Sequence, residues 1–223
     1  MRVSQFEIYR LVQRALEGSG APYGVDRDGA QAVAWLESRG LPGLRLLQGD
    51  LPLLEGRFTG LTLKRDAGGI EIDAAEISAI AYGSAVIDLA CKGAALRLRR
   101  CRSPLFLLPA AVAAGVPLEI RWQEILCAAD ADAGASLWVG GGADGLLDST
   151  ATEVEIRSGS AAMSARPFLD SGELARRYEN SLAQGIEVDD ALWRRIDAVA
   201  ARVQVPASTE SRLKGAGGGD ANA

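Results

Sequence analysis

No histidine occurs anywhere in the 223 residues of this chain. That absence excludes Ser-His-Asp and Cys-His nucleophilic catalysis and every histidine-bearing metal site. Acid–base work would fall to Asp, Glu, Lys, Tyr or Cys. Cysteine is scarce as well. Cys91, Cys101 and Cys127 are odd in number and form no Cys-x-x-Cys pair, so reduced structural thiols in a cytoplasmic protein are the simplest reading. Positive charge is in deficit: 24 Lys+Arg stand against 29 Asp+Glu, a formal net charge of −5. No global positive field therefore draws in nucleic acid or an anionic membrane surface. Long apolar runs are missing too. The longest, Pro104 to Pro117, is too short to cross a bilayer and is interrupted by Pro109 and Gly115. Met1 to Leu16 mixes Arg2, Gln5, Glu7, Arg10, Gln13 and Arg14 among its apolar residues, unlike a secretory leader.

What is present is ordinary globular material, 48% hydrophobic and 24% charged, with length for one sizeable core or two small ones. Ser4-Gln5-Phe6-Glu7 fits a capping box, and Ile8, Leu11, Val12, Ala15 and Leu16 follow at helical spacing. A second helix is expected from Asp26 to Arg39, with Gly40 as its left-handed stop. Pro42 and Pro52 each suit the first turn of a short helix. From Arg57 the texture turns to strands: Phe58 to Leu63, Ile70 to Ile72, Leu96 to Arg99, Val116 to Trp122, Glu124 to Ala128, Leu137 to Val139 and Glu153 to Arg157. Short helices interrupt them, one capped by Ser84 and running to Lys92, another opened by Ser103-Pro104 and running to Ala114. After Pro167 the pattern is helical again, Leu174 to Gln184 and then a helix capped by Asp189 with Leu192, Ile196, Val199 and Val203 inward. The expected class is α+β: helical N- and C-terminal segments packed together, with a central mixed, strand-rich α/β region. Residues 1–56 with 167–206 would form the helical domain, 57–166 the strand-rich α/β domain and 207–223 a flexible tail.

The stretch "WLESRGLPGLRLL", Trp35 to Leu47, and the segment "SGELARRYENSLAQGIEVDDALWRRIDAVAARVQV" carry a resemblance. Arg39-Gly40, Gly43 and Arg45-Leu46, then Gly172-Glu173, Arg176-Arg177, Gly185-Ile186, Val188 and Leu192-Trp193, resemble motifs of the malate/L-lactate/ureidoglycolate dehydrogenase family, the non-Rossmann type. In that family a histidine in the first segment is the acid–base catalyst; here Pro42 lies where Ser-His is expected. The likeness covers roughly the first fifty and last forty residues. The middle does not resemble the family's nicotinamide-binding domain, so no cofactor is expected. The chain also resembles an uncharacterised bacterial domain-of-unknown-function family with the same N-terminal helices and a Pro-Ala-Ser-x-x-Ser-Arg ending.

Anion contacts are the candidate chemistry. "LRLRRCRSP" gathers Arg97, Arg99, Arg100 and Arg102 ahead of Ser103 at an expected helix N-terminus, which would suit a carboxylate or phosphate. The alternative is an edge strand kept unpaired by charge. Arg39 and Arg45 are the other candidate anion contacts, with Glu37 as a candidate base. "VGGGADG" and "DADAG" read as turns rather than phosphate or calcium loops, and no metal site is expected. Cys101 sits among arginines that would activate a thiolate, against the plainer reading of a small core residue.

The preferred expectation is a non-catalytic binding or accessory subunit, a pseudoenzyme on a dehydrogenase-like scaffold, forming a homodimer or joining a protein partner. Two alternatives stand beside it: an enzyme acting on a small carboxylate, and a regulatory module that senses a small acid.

Overall fold

The computed structural model describes residues 1–66, 69–130, 134–140, 143–147, 150–159 and 166–203. In chain order the elements are β1 (Arg2–Val3), α1 (Gln5–Gly18), α2 (Val25–Glu37) and α3 (Gly43–Leu54), then β2 (Thr62–Asp66), β3 (Gly69–Asp73), α4 (Gly83–Cys91) and β4 (Leu96–Arg102). There follow α5 (Leu107–Ala114), β5 (Leu118–Trp122), β6 (Ile125–Asp130), β7 (Gly134–Val139) and β8 (Thr150–Ser158), and last α6 (Ser171–Gln184), β9 (Ile186–Glu187) and α7 (Asp190–Ala200). The class is α+β, as expected.

The capping box forms: Ser4 Oγ accepts the Glu7 amide and Glu7 reaches back to the Ser4 amide. Ile8, Leu11, Val12, Ala15 and Leu16 of α1 are buried. Against α1 lie α2 and α7, so both helical ends share one wall. The helices approach closely at Gly18, where any Cβ would strike the Val199 carbonyl. The termini are also stitched by backbone, since β1 and β9 pair antiparallel with Val3 opposite Ile186. Asp26, buried at the start of α2, accepts from Gln13 Nε2 at 3.0 Å and from the Gly24 amide at 2.8 Å, which satisfies a charge that burial would otherwise disfavour.

The large sheet runs β2-β3-β4-β8-β5-β6-β7. Only β3 and β4 are parallel neighbours, and α4 supplies their crossover. β8 inserts antiparallel between β4 and β5. Ile70, Ile72, Leu96, Leu98, Ile120, Val154 and Ile156 alternate into a core continuous with the helical wall.

Five expectations differ from the structure. The strand expected from Phe58 to Leu63 forms instead at Thr62–Asp66, as β2. Residues 43–54 form one helix rather than two, with Pro52 in its exposed last turn, where only one helical bond is lost. Ser84 lies inside α4, whose N-cap is Tyr82. Ser103 takes a left-handed conformation, φ 49°, and makes no cap; a 3-10 turn, Pro104–Phe106, precedes α5. Val203 lies in an exposed 3-10 turn after α7, not on its inner face. Gly68, parts of "DADAG" and "VGGGADG", and the tail 207–223 lie outside the described residues.

Candidate functional site

The segment from Trp35 to Leu47 folds as the end of α2, a turn and the start of α3. Gly40, at φ 67°, reverses the chain, and Pro42 starts α3 without a side-chain cap of its own. This turn forms one wall of a cavity of about 660 Å³. The β9–α7 turn lines it with Glu187 and Asp189, α6 contributes Arg177, and Leu146, Leu147, Phe168 and Leu169 add apolar lining.

Glu37 is the most perturbed group there. Its Oε1 accepts the Leu44 amide at 2.7 Å, so the last turn of α2 caps the N-terminus of α3. Burial pushes its carboxyl up to about 7, against the opposing pull of the Leu44 amide, the Arg45 charge and the Gly43 amide. What surface it keeps opens through the cavity it lines. Near neutral pH this carboxyl therefore exists in both protonation states.

The cations differ in their freedom. Arg45 is exposed and makes no ion pair among the described residues. Arg177 is braced, with Nε on Glu173 at 2.8 Å and Nη1 on the Arg39 carbonyl at 3.4 Å. Arg39 does not line the cavity. Its guanidinium lies between the rings of Trp35 at 4.1 Å and Tyr178 at 4.6 Å and donates to the Trp35 carbonyl and Ser38 Oγ. It is a strut between α2 and α6, half-buried.

The second set of sequence candidates does not converge. Arg97 and Arg99 pair with Glu153 of β8, Arg100 with Asp73 and Arg102 with Asp50. The left-handed backbone at Arg100, φ 51°, switches the strand's faces, so Cys101 is buried where simple alternation would bury Arg100. Behind it lies a buried polar cluster. Asp50, fully buried, accepts from Ser78 Oγ at 2.5 Å and from Arg102 Nε at 2.6 Å. Burial raises its carboxyl while Ser78, Ser103 and Arg102 pull it down. The Ser103 hydroxyl makes no hydrogen bond among the described residues. Cys101 receives the Tyr82 hydroxyl at 3.1 Å, and burial holds its thiol up at about 12. It is a packed thiol, not a nucleophile. Among the described residues no three His, Cys, Asp or Glu side chains gather as metal ligands, and no helix is long and apolar enough to cross a membrane.

Residues 3–94 match a protein family described as "Protein of unknown function (DUF3726)". No curated protein matches the chain in sequence. Solved structures do match it in shape. A dehydrogenase from Sinorhizobium meliloti is 14% identical with a TM-score of 0.67, over 90% of this chain and 99% of that one. The malate dehydrogenase of Pyrococcus horikoshii OT3 is 11% identical with a TM-score of 0.64, over 92% and 96%. The sulfolactate dehydrogenase of Methanocaldococcus jannaschii is 11% identical with a TM-score of 0.60, over 89% and 96%. The chain has the fold of these dehydrogenases. Identity this low shows the fold alone. Coverage near nine-tenths takes in the central sheet, so the likeness seen at the two ends extends through the middle.

The dehydrogenase-like fold thus brings Glu37 and Arg45 to one cavity, leaves Arg39 behind it as a strut, and scatters Arg97 to Ser103 elsewhere. Sequence reasoning missed Arg177, Glu187 and Asp189, which lie far from Glu37 along the chain. Asp50 was missed as well, although a signal existed: it interrupts the apolar stripe Leu46, Leu47, Leu51 and Leu54, and a charge on a buried helical face requires partners.

Proposed function

We propose that the protein binds a small carboxylic acid in the cavity at the α2–α3 turn and acts as a non-catalytic binding or accessory subunit on a dehydrogenase-like fold. The observation that carries this is the shared lining of one cavity: Glu37, whose carboxyl burial pushes up, lies there with Arg45, Arg177 and the apolar Leu146, Leu147, Phe168 and Leu169. Guanidinium groups suit a ligand carboxylate, and the apolar lining suits its carbon skeleton. Proteins of this fold named for malate and sulfolactate handle acids of that size.

A dinucleotide pyrophosphate does not fit the same lining. Phosphates favour free amides at helix N-termini. The Leu44 amide of α3 is already given to Glu37, and the Leu192 amide of α7 to Asp189 Oδ1 at 2.7 Å. Glu187 and Asp189 add negative charge beside them. Calorimetric titration with L-malate and L-lactate tests the binding reading, and absence of heat for both would remove it. Titration of tryptophan fluorescence with NADH and NADPH tests the non-catalytic part; saturable micromolar quenching would overturn it.

One observation favours a second reading. A carboxyl poised near neutrality has the strength a general acid–base needs, so an enzyme acting on a small carboxylate would use Glu37. Turnover of such an acid that disappears in Glu37→Gln would establish this reading over the first.

A further inference from the structure

We infer that the cavity takes up its acid as an anion together with one proton from solvent, and that Glu37 Oε2 receives the proton. This rests on the small-acid reading above.

The geometry makes Glu37 the receiving group. Oε1 is committed as acceptor to the Leu44 amide at 2.7 Å and the Gly43 amide adds a weaker pull, so Oε2 is the oxygen that can bind a proton and donate it to an anionic ligand. The charged groups facing the space are Arg45 from α3, Arg177 from α6, and Glu187 and Asp189 from the β9–α7 turn. With Glu37 ionised, three carboxylates stand against two guanidiniums before any ligand enters. A carboxylate ligand would add another negative charge beside apolar lining, where repulsion is poorly screened. Glu187 and Asp189 are exposed, and Asp189 is engaged as the cap of α7 through the Leu192 amide. Glu37 has no guanidinium within ion-pair distance among the described residues, and burial disfavours its charged form. Protonating it removes the like charge and supplies a donor in one step. No bond other than O–H forms: the proton comes from solvent or buffer and returns there when the acid leaves.

The empty site is half-protonated near neutrality because burial already holds this carboxyl at about 7. An anion beside it raises that value further. Affinity is then highest below neutral pH and falls as pH rises above it, by about tenfold per unit until the raised value is passed.

The test is calorimetry on the full chain with L-malate and L-lactate, from about pH 7 to about pH 8.5, in two buffers of different ionisation enthalpy. Both acids are fully ionised there, so any proton taken up belongs to the protein. We expect buffer-dependent heats that report uptake approaching one proton per site, and affinity that falls across the range. Glu37→Gln, which keeps an acceptor for the Leu44 amide, should bind with affinity independent of pH and exchange no proton. Binding by the wild type with no buffer dependence overturns the inference and leaves the binding reading standing. So does a Glu37→Gln protein that keeps the wild-type pH profile. No heat with either acid, for wild type and variant alike, removes the binding reading and this inference together. The buffer comparison needs only the wild type, so the outcome does not depend on how the variant folds.

Discussion

Glu37 closes the N-terminus of the helix that follows its own, its Oε1 on the Leu44 amide at 2.7 Å. The positive end of α3 favours the charged carboxylate, while the protein around it favours the neutral form. Burial is the larger of the two effects and pushes the carboxyl up to about 7. Function and stability therefore meet at one titration.

Stability should follow from that titration with a definite sign. The folded-state value, about 7, lies above the ordinary 4.5. Glu37 thus contributes stability that is fully present below the unfolded value and is lost as pH rises through the folded one. The gap corresponds to about 3 kcal/mol. Glu37→Gln carries no such charge, so above about pH 7 it should be more stable than wild type by up to about 3 kcal/mol, the difference shrinking as pH falls and vanishing below about pH 4. Urea unfolding of both proteins across the range measures this. Parallel curves would show that Glu37 ionises freely in the fold.

The Asp50–Arg102 pair should show the asymmetry of a buried ion pair. Asp50 is fully buried, whereas the Arg102 side chain keeps 19% of its surface. Asp50→Leu leaves Ser78 and the guanidinium without their shared acceptor and should cost about 3 kcal/mol. Adding Arg102→Met should recover part of that loss, because both charges then leave the interior together. Equal destabilisation by the single and double variants would mean that Arg102 is served by water instead.

How much of this could be seen in the residues follows from the range of each interaction. The capping box at Ser4, the stop at Gly40 and the cap at Asp189 are short-range signals, and each appears where the spacing places it. Strand positions were legible from alternation, but the insertion of β8 between β4 and β5 was not, because nothing local in Thr150–Ser158 names its neighbours. Ser103 shows local chemistry overridden: its hydroxyl lies buried beside Asp50 rather than on a helix amide. For the site, Glu37 and Arg45 were visible because one turn joins them, whereas Arg177 reaches the cavity only through tertiary packing.

Docking of the helical ends has a point of least tolerance. Gly18→Ala would push a methyl group into the Val199 carbonyl, which belongs to backbone and cannot swing aside. The cost should be about 1–3 kcal/mol, typical of overpacking. Gly49→Ala is the control: it lies inside α3, and the nearest atom to its Cβ would be Arg102 Nη2 at 3.8 Å. There the better helix propensity should stabilise by about 0.5–1 kcal/mol. Thermal melts of the two variants should move in opposite directions; a neutral Gly18→Ala would mean that α1 and α7 can slide apart.

Arg39 should act on the cavity without touching it. Sandwiched between Trp35 and Tyr178, it holds α6 against α2, and its carbonyl receives Arg177. Lysine lacks the planar face for that stack, so Arg39→Lys should cost about 1 kcal/mol and shift Trp35 emission toward the wavelength of a more hydrated ring. Malate affinity should weaken in step, through the altered setting of Arg177. An unchanged emission spectrum would show that the stack is not formed in solution.

The two groups of arginines seen in the sequence make opposite predictions. Arg45 lines the cavity, is exposed and has no ion pair among the described residues, so its charge is available to a ligand. Arg99 and Arg100 are already held by Glu153 and Asp73, and no ligand can use them without breaking those pairs. A charge-assisted contact contributes about 1.5–3 kcal/mol, so Arg45→Ala should weaken malate binding by at least about tenfold. Arg99→Ala with Arg100→Ala should leave it unchanged, since both removed charges sit on the outer face of β4. Calorimetry on the two proteins decides between the groups. Should the double variant lose binding while Arg45→Ala keeps it, the acid sits on the sheet, and the cavity at the α2–α3 turn has another use.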